Sequence, residues 1–449
     1  QKIIAIVEQF ISKKHLICYG GTAINAILPK EVQFYNREIE VPDYDFFSAN
    51  ALNDAIELSD IFYGKGYLNV ETKAAVHHGT YKVFVNFIGV ADITNMDKNL
   101  FKNITKHAIK KEGILYAPPN FLKIDMYKEL SRPHGDVSRY EKVFKRLDLI
   151  NQYYPLKNKK CDTLNFMRDF EGMEDKERVR ELYTTIKNTI IDQGLVFFGG
   201  YASALYGKYM PANKRHIISN SPDFDVLSID PKASALQLKE QLEKNGFKHV
   251  KLYEKKPIGE IIATHYEIVV DKDSVCFIYE PIGCHSYNTI RIGNKKVKIA
   301  TINTMLNFYY AFVYSGREYY DEERILCMAQ YLTEVQIKNG INQKGLLARF
   351  NQNCYGTEIN REMIKEIKAQ KYKELKVDRQ SPEYQAYFLK YTPGVKNADR
   401  PVSALPESAL PAAALAAAPE SATKKTRSNK KKSQKKRKTK KWYKKLFIL

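Results

Sequence analysis

Hydrophobic and polar positions follow a rhythm along this chain that is heard twice. The apolar run Leu16-Ile17-Cys18 closes in Tyr19-Gly20-Gly21, and Ala23, Ile24 and Ile27 then recur at helical spacing. Much later Leu195 to Phe198 closes in Gly199-Gly200, followed by Ala202, Ala204 and Leu205 at the same spacing. Each copy continues through a polar stretch to an Asp-x-Asp, Asp43-Tyr44-Asp45 in the first and Asp223-Phe224-Asp225 in the second. Helical patterns follow on Leu52, Ile56 and Ile61 and on Leu236, Leu238 and Leu242, ending at Gly66-Tyr67 and Gly246-Phe247. Paired strand patterns come next, Thr80–Phe87 with Val90–Thr94 and His265–Val270 with Val275–Tyr279. An offset of about 180 positions held over these landmarks marks an internal duplication.

Residues 118–154 read as helix interrupted at Pro133-His134-Gly135, with Tyr140, Val143, Phe144, Leu147 and Ile150 on one face. The second copy answers with Thr301–Tyr314, a break at Gly316 and Tyr319–Leu332. The pattern therefore predicts an α/β protein with two tandem domains of one fold, each a mixed sheet with flanking helices. Expected boundaries are 1–155 for the first domain, 156–190 for a helical connector, 191–395 for the second domain, and 396–449 for a disordered Pro/Ala linker and Lys-rich tail. The chain opens at Gln1 already in helical period, so some natural N-terminus is expected to precede it.

Alternation on a strand puts Asp43 and Asp45 on one face, and a neighbouring strand can set Asp92 beside them. Three bare carboxylates would repel, so the set makes sense with hard divalent cations between them. Gly-Gly ahead of a helix offers backbone N–H groups to phosphate oxygens, and Thr22 adds a hydroxyl. In the second copy Phe277 stands where the third acid is expected, and Asp223 and Asp225 read as a relic. His77-His78 has no other imidazole or thiol nearby in sequence and reads as a polar loop or core feature.

The order strand, Gly-Gly, helix, Asp-x-Asp strand, later Asp strand resembles the nucleotidyltransferase superfamily that includes DNA polymerase β and the poly(A) polymerases. More narrowly, Tyr19-Gly20-Gly21, Pro42-Asp43-x-Asp45-x-Phe47-Ser48, Val90-Ala91-Asp92 and the segment from Arg132-Pro133 to Tyr153-Tyr154 resemble the poly(A) polymerase catalytic subunits of poxviruses, African swine fever virus and giant viruses. That resemblance covers about residues 10–155 and fades beyond 160 in identity, though not in layout. It implies template-independent transfer of AMP from ATP to the single-stranded 3′ end of mRNA, with pyrophosphate released and two Mg²⁺ or Mn²⁺ ions. Under it Asp43 and Asp45 hold both ions, Asp92 completes one of them, and Gly20, Gly21 and Thr22 cradle the ATP tail. Arg139 and Lys142 are the preferred cations for the phosphates, ahead of Lys145 and Arg146. The viral relatives work either with a separate processivity subunit or as a homodimer, and the second folded domain favours a homodimer.

Charge sharpens this picture. The formal net charge is +21, and Lys424–Lys445 alone holds 14 Lys or Arg without an acid, two thirds of the total. Such a balance seeks a polyanion, nucleic acid before an anionic membrane surface, and argues against a small-molecule acceptor. The tail suits an RNA tether, a nuclear import or packaging signal, or a solubilising appendage, and its end, Trp442 to Leu449, suits a partner or membrane-surface anchor. Competing readings are an oligoadenylate synthase or other nucleotidyltransferase, and a non-catalytic RNA-binding scaffold, which the intact Asp43, Asp45 and Asp92 set disfavours. No apolar run is long enough to span a bilayer, so integral membrane association is not expected. The six cysteines show no CxxC or framework spacing and read as reduced thiols of a cytosol-like compartment. The resemblance places the protein in host cytoplasm at a viral factory and in the virion, with the nucleus suggested by the tail.

Overall fold

The computed structural model of the 449-residue chain describes residues 2–35, 44–162, 175–210, 224–340 and 342–395. Asp43, Asp223 and the 396–449 tail lie outside the described residues. Among the described residues the chain forms two eight-stranded sheets. The first half runs α1 (Lys2–Lys14), β1 (Ile17–Cys18), α2 (Gly20–Ile27), β2 (Tyr44–Ser48), α3 (Ala51–Gly64), β3 (Val70–Ala74), β4 (Thr80–Val85), β5 (Ile88–Asn95), α4 (Lys98–His107), β6 (Ile109–Lys111), β7 (Ile114–Tyr116), α5 (Pro119–Leu130) and α6 (Tyr140–Tyr153). The second half runs α7 (Lys176–Asp192), β8 (Val196–Phe198), α8 (Gly199–Tyr206), β9 (Phe224–Leu227), α9 (Pro231–Lys244), β10 (Val250–Lys255), β11 (His265–Val270), β12 (Asp273–Tyr279), β13 (His285–Ile292), β14 (Lys295–Ala300), α10 (Ile302–Tyr314) and α11 (Glu322–Asn339).

The duplication shows in topology. The first sheet reads β3-β4-β5-β2-β1-β7-β6 and the second β10-β11-β12-β9-β8-β14-β13, each with one more short strand at an edge. Strand senses agree as well: β2 with β5 and β1 with β7 are parallel, as are β9 with β12 and β8 with β14, and the other equivalent pairs are antiparallel. The added edge strand of the first sheet is Lys390–Tyr391, which pairs with β3. The added strand of the second is β15 (Cys354–Tyr355), against β13. Helix α7 packs on α9 and β14 and so belongs physically to the second half.

Residue choice explains the layers. Ile6, Val7, Phe10 and Ile11 give α1 one apolar stripe for the first sheet, and Lys13 and Lys14 end it in favourable contact with its dipole. Helices α5 and α10 are buried over most of their surface because α5 lies among α10, α6 and α2, and α10 lies among α5, α11 and the strands β13 and β14. Between them Tyr127 stacks on Tyr310 at 5.8 Å, Phe121 meets Tyr314 edge-on at 5.3 Å, and Asn307 Nδ2 donates to Ile124 O at 2.9 Å. Such aromatic pairs contribute about 0.5–1.5 kcal/mol each beyond the area they bury. The two halves are therefore joined through a shared aromatic core.

The reading of all cysteines as reduced thiols is corrected here. Cys161 is bonded to Cys327 and Cys284 to Cys354, while Cys18 and Cys276 are buried and take part in neither disulfide. The partners stand 166 and 70 positions apart, and only folding brings them together, so no local spacing announces them.

One ionisable group sits in the seam between the halves. Lys123 is fully buried on α5, its Nζ 5.4 Å from the Tyr310 ring centre, and burial pushes its ammonium down from 10.5 to about 8. The folded state therefore loses this proton near pH 8 while the unfolded chain keeps it to about 10.5, so the cost of burying the charge is full below pH 8 and fades as pH rises through that window. Lys123→Met is expected to stabilise the protein by about 1–3 kcal/mol at pH 7. The gap to wild type should close between pH 8 and 10, and thermal melts of the two proteins across that range check it. A variant less stable than wild type at pH 7 would contradict the assignment.

Candidate active site

The Gly20-Gly21 turn is built by close approach. Strand β1 ends at Cys18, Tyr19 is extended (φ −135°, ψ −169°), and its N–H donates to Asp45 O at 2.9 Å, tying the turn to β2. Gly20 then adopts φ +68°, and a Cβ there would lie 2.7 Å from Asp45 Oδ2. Only glycine tolerates both the left-handed backbone and that carboxylate. A Cβ on Gly21 would lie 2.5 Å from Tyr35 Oη and 2.9 Å from Arg146 Nη2. The first turn of α2, with Thr22 buried in it, therefore faces a carboxylate on one side and a guanidinium on the other.

Strand pairing supplies the acids. In the parallel register of β2 with β5, Asp45 stands opposite Asp92, between the buried pairs Tyr44–Ala91 and Phe46–Ile93. On the far side of β5, Lys82 is the register partner of Asp92 and its ammonium is ion-paired with that carboxylate. Tyr19 closes the floor, stacked on Phe47 at 3.8 Å with its hydroxyl 2.8 Å from Thr94 Oγ1. Burial, followed by the Asp45 charge, pushes its phenol well up and keeps it neutral.

The expected cations fall in different places on and beside α6. Arg146 stands over the turn, donating to Tyr35 Oη at 2.7 Å and stacking 4.8 Å from the Phe34 ring centre. Lys142, one turn earlier, feels Arg146 most, then its partial burial and Arg139, which together push its pKa down against the pull of Glu129 and Asp45. Arg139, itself exposed, is turned to the half-buried Glu129 at 3.1 Å. Of the residues expected to form the site, the fold brings together Gly20, Gly21, Thr22, Asp45, Asp92 and the neighbourhood of Lys142. Lys82, Tyr35 and the leading place of Arg146 are additions that the sequence pattern did not single out, and Tyr19 is read there only as part of the turn motif. Among these only Lys82 carried a signal, its position two residues into a strand predicted beside Asp92. His78, in the His77-His78 pair, packs tilted against Tyr387 with ring centres 4.1 Å apart, and burial pushes its imidazole down to about 4.

The second half keeps the turn and seals the pocket. Gly199 has φ +68°, and Asp225 Oδ2 would lie 2.1 Å from a Cβ there. Opposite Asp225, however, β12 offers Phe277 in the place of Asp92, and β11 offers Glu267 in the place of Lys82. Phe277 stacks on Tyr319 at 5.3 Å, and Tyr319 Oη bonds His265 Nε2 at 2.9 Å. Glu267 is turned to Lys255 at 2.7 Å. Aromatic rings fill the volume that polar groups line in the first half.

The chain thus has two tandem α/β halves of one topology, of which the first combines a glycine turn at a helix start with register-paired acids. The family model described as poly(A) polymerase catalytic subunit matches residues 5–136, and the resemblance read from the sequence holds over that segment. An African swine fever virus (strain Badajoz 1971 Vero-adapted) protein named as poly(A) polymerase catalytic subunit is 38% identical over 157 residues, 34% of this chain and 33% of that protein. An Acanthamoeba polyphaga mimivirus protein of the same name is 30% identical over 194 residues, 42% of this chain and 31% of that one. These similarities thus span about a third of the length of the curated relatives. The crystal structure of the Megavirus polyadenylate synthase shares the fold, with a TM-score of 0.74 at 22% identity over 87% of this chain and 79% of that one.

Gly20→Ala tests the turn. A left-handed alanine costs about 1–2 kcal/mol before the clash with Asp45 is counted. The variant should melt a few degrees below wild type, whereas Gly64→Ala, which meets open space on a helix, should not. Equal melting temperatures for Gly20→Ala and wild type would contradict the close approach.

Proposed function

We propose that the first half is a template-independent polynucleotide adenylyltransferase that adds AMP from ATP to RNA 3′ ends. The observation that carries the reading is the register partnership of Asp45 with Asp92 beside the Gly20-Gly21 turn, set against Phe277 at the equivalent place in the second half. The names of the viral relatives and of the Megavirus structure support it. Among the described residues no helix is long and apolar enough to cross a membrane.

In this reading Asp45 and Asp92, joined by Asp43, hold two Mg²⁺ or Mn²⁺ ions, whose chemistry is to acidify the RNA 3′-hydroxyl and neutralise phosphoryl charge. The N–H groups of the α2 start and the Thr22 hydroxyl receive the triphosphate oxygens. Arg146, held by Tyr35 and Phe34, presents a preorganised guanidinium on the opposite side, and Lys142 adds charge one turn away. Lys82 offsets the repulsion between the two carboxylates from behind. The 3′-hydroxyl gives its proton to solvent and its oxygen bonds to the α-phosphorus as the bond from that phosphorus to the α–β bridging oxygen breaks, and pyrophosphate leaves towards the basic side. The Lys-rich tail gathers RNA through phosphate neutralisation, an attraction that weakens steeply with salt. The assembly is a homodimer in this proposal, which light scattering reads directly.

Primer extension on a short single-stranded RNA, with each of the four NTPs and either metal, tests the activity. Wild type should give adenylate tails, Asp45→Ala/Asp92→Ala should lose them by at least about 10³-fold, and Asp225→Ala should keep them. Absence of extension by wild type with every nucleotide would sink the polymerase reading. Steady-state kinetics on single variants separate the cations: Arg146→Ala should raise KM for ATP about 10-fold or more, and Arg139→Ala less than about 3-fold.

A further inference from the structure

A second cluster of ligating side chains lies away from the acidic pair, where the first half touches the second. His134 sits in the turn between α5 and α6, Cys284 directly precedes β13, and Cys354 lies in β15. One ring nitrogen of His134 and the two Sγ atoms converge within 4.8 Å of one another, with His134 Nδ1 3.5 Å from Cys354 Sγ. Two ligands at zinc distances of about 2.0–2.3 Å in a tetrahedron are themselves about 3.5–3.7 Å apart, so the imidazole already stands at the spacing of a metal ligand.

The surroundings are built rather than incidental. Glu358 accepts the Cys284 N–H at 3.2 Å with one oxygen and faces Arg132 Nη1 at 3.6 Å with the other. Arg132 Nη2 donates to Ile282 O at 3.1 Å, and its guanidinium fills the space where a Cβ on Gly283 would lie, 2.6 Å from Cζ. Ser286 N–H donates to Ser131 O at 2.8 Å. These bonds fix the backbone on both sides of Cys284 and His134, and the nearby guanidinium favours thiolates. The second disulfide, Cys161–Cys327, forms no such group of three ligating side chains among the described residues.

We propose that, once the Cys284–Cys354 disulfide is reduced, Cys284, Cys354 and His134 bind one zinc ion that pins the α5–α6 turn to the second half. Two soft sulfurs and an imidazole select zinc over the hard Mg²⁺ and Mn²⁺, and the fourth position is left to water. Reduction by a dithiol converts the disulfide to two thiols and leaves the reductant as its own disulfide. Zinc then binds as both thiols release their protons to solvent, and the sulfurs separate from covalent contact to about 3.7 Å. Disulfide and zinc are alternative clamps on one turn, and that turn leads into the helix carrying Lys142 and Arg146.

Titration of the full-length, dithiol-reduced and desalted protein with Co²⁺ under anaerobic conditions, followed by displacement with Zn²⁺, tests this. One equivalent of Co²⁺ should give thiolate-to-cobalt charge-transfer absorption that Zn²⁺ abolishes, and the disulfide form should give none. Cys354→Ser should lose the band, His134→Ala should weaken binding at least about 10-fold, and both Cys161→Ser and Asp45→Ala/Asp92→Ala should retain it. Two results would overturn the proposal: reduced protein with all its cysteines titrating as thiols and no charge-transfer band, or a band unchanged in both Cys354→Ser and His134→Ala.

Discussion

The structure turns on the parallel pairing of β2 with β5. That register sets Asp45 against Asp92, holds Tyr44, Ala91, Phe46 and Ile93 in the core on either side, and leaves two carboxylates adjacent at a cost of like-charge repulsion. A slip of one residue would turn the acids into the core and the apolar side chains outward, so the hydrophobic pattern that folds the sheet also fixes the acidic pair. Lys82 on the next strand compensates the charge, and Gly20 lets the α2 start approach Asp45 closely. Binding chemistry and folding are here one constraint.

The second half carries the same frame without the paired acids. Its strand order, strand senses and glycine turn are retained, but Phe277 and Glu267 replace Asp92 and Lys82, and the pocket closes over Phe277, Tyr319 and His265. Exchanging an acid and a base for a ring and an acid converts a polar cleft into a packed one without disturbing the sheet. The seam between α5 and α10 gives the closed half a structural role, because Tyr127, Tyr310, Phe121 and Tyr314 bury each other across it.

Much of this was legible in the sequence because duplication repeats each signal. The Gly-Gly turns, the Asp-x-Asp strands, the replacement by Phe277 and the long helices after them follow local periodicity that the fold respects. Short edge elements were not legible. Strand β6, Ile109-Lys110-Lys111, is three residues with two lysines, and Val70–Ala74 carries charges on one face, so neither offers an alternation long enough to read. Arg146 and Tyr35 meet over Gly21 from positions 111 apart, and the cysteine partners stand 166 and 70 apart with no local pattern to announce them. The sequence ranks Arg139 ahead of Arg146, whereas the fold turns Arg139 to Glu129 and holds Arg146 over the turn through Tyr35 and Phe34. Tertiary contact, which propensity cannot carry, decided each of these.

The asymmetry between the halves is the central claim, and metal location tests it most directly. Crystals soaked with Mn²⁺ and a non-hydrolysable ATP analogue should give anomalous difference density between Asp45 and Asp92, with the triphosphate at the start of α2 and nothing beside Asp225. Density at Asp225, or an empty Asp45–Asp92 pair with nucleotide bound elsewhere, would contradict the account.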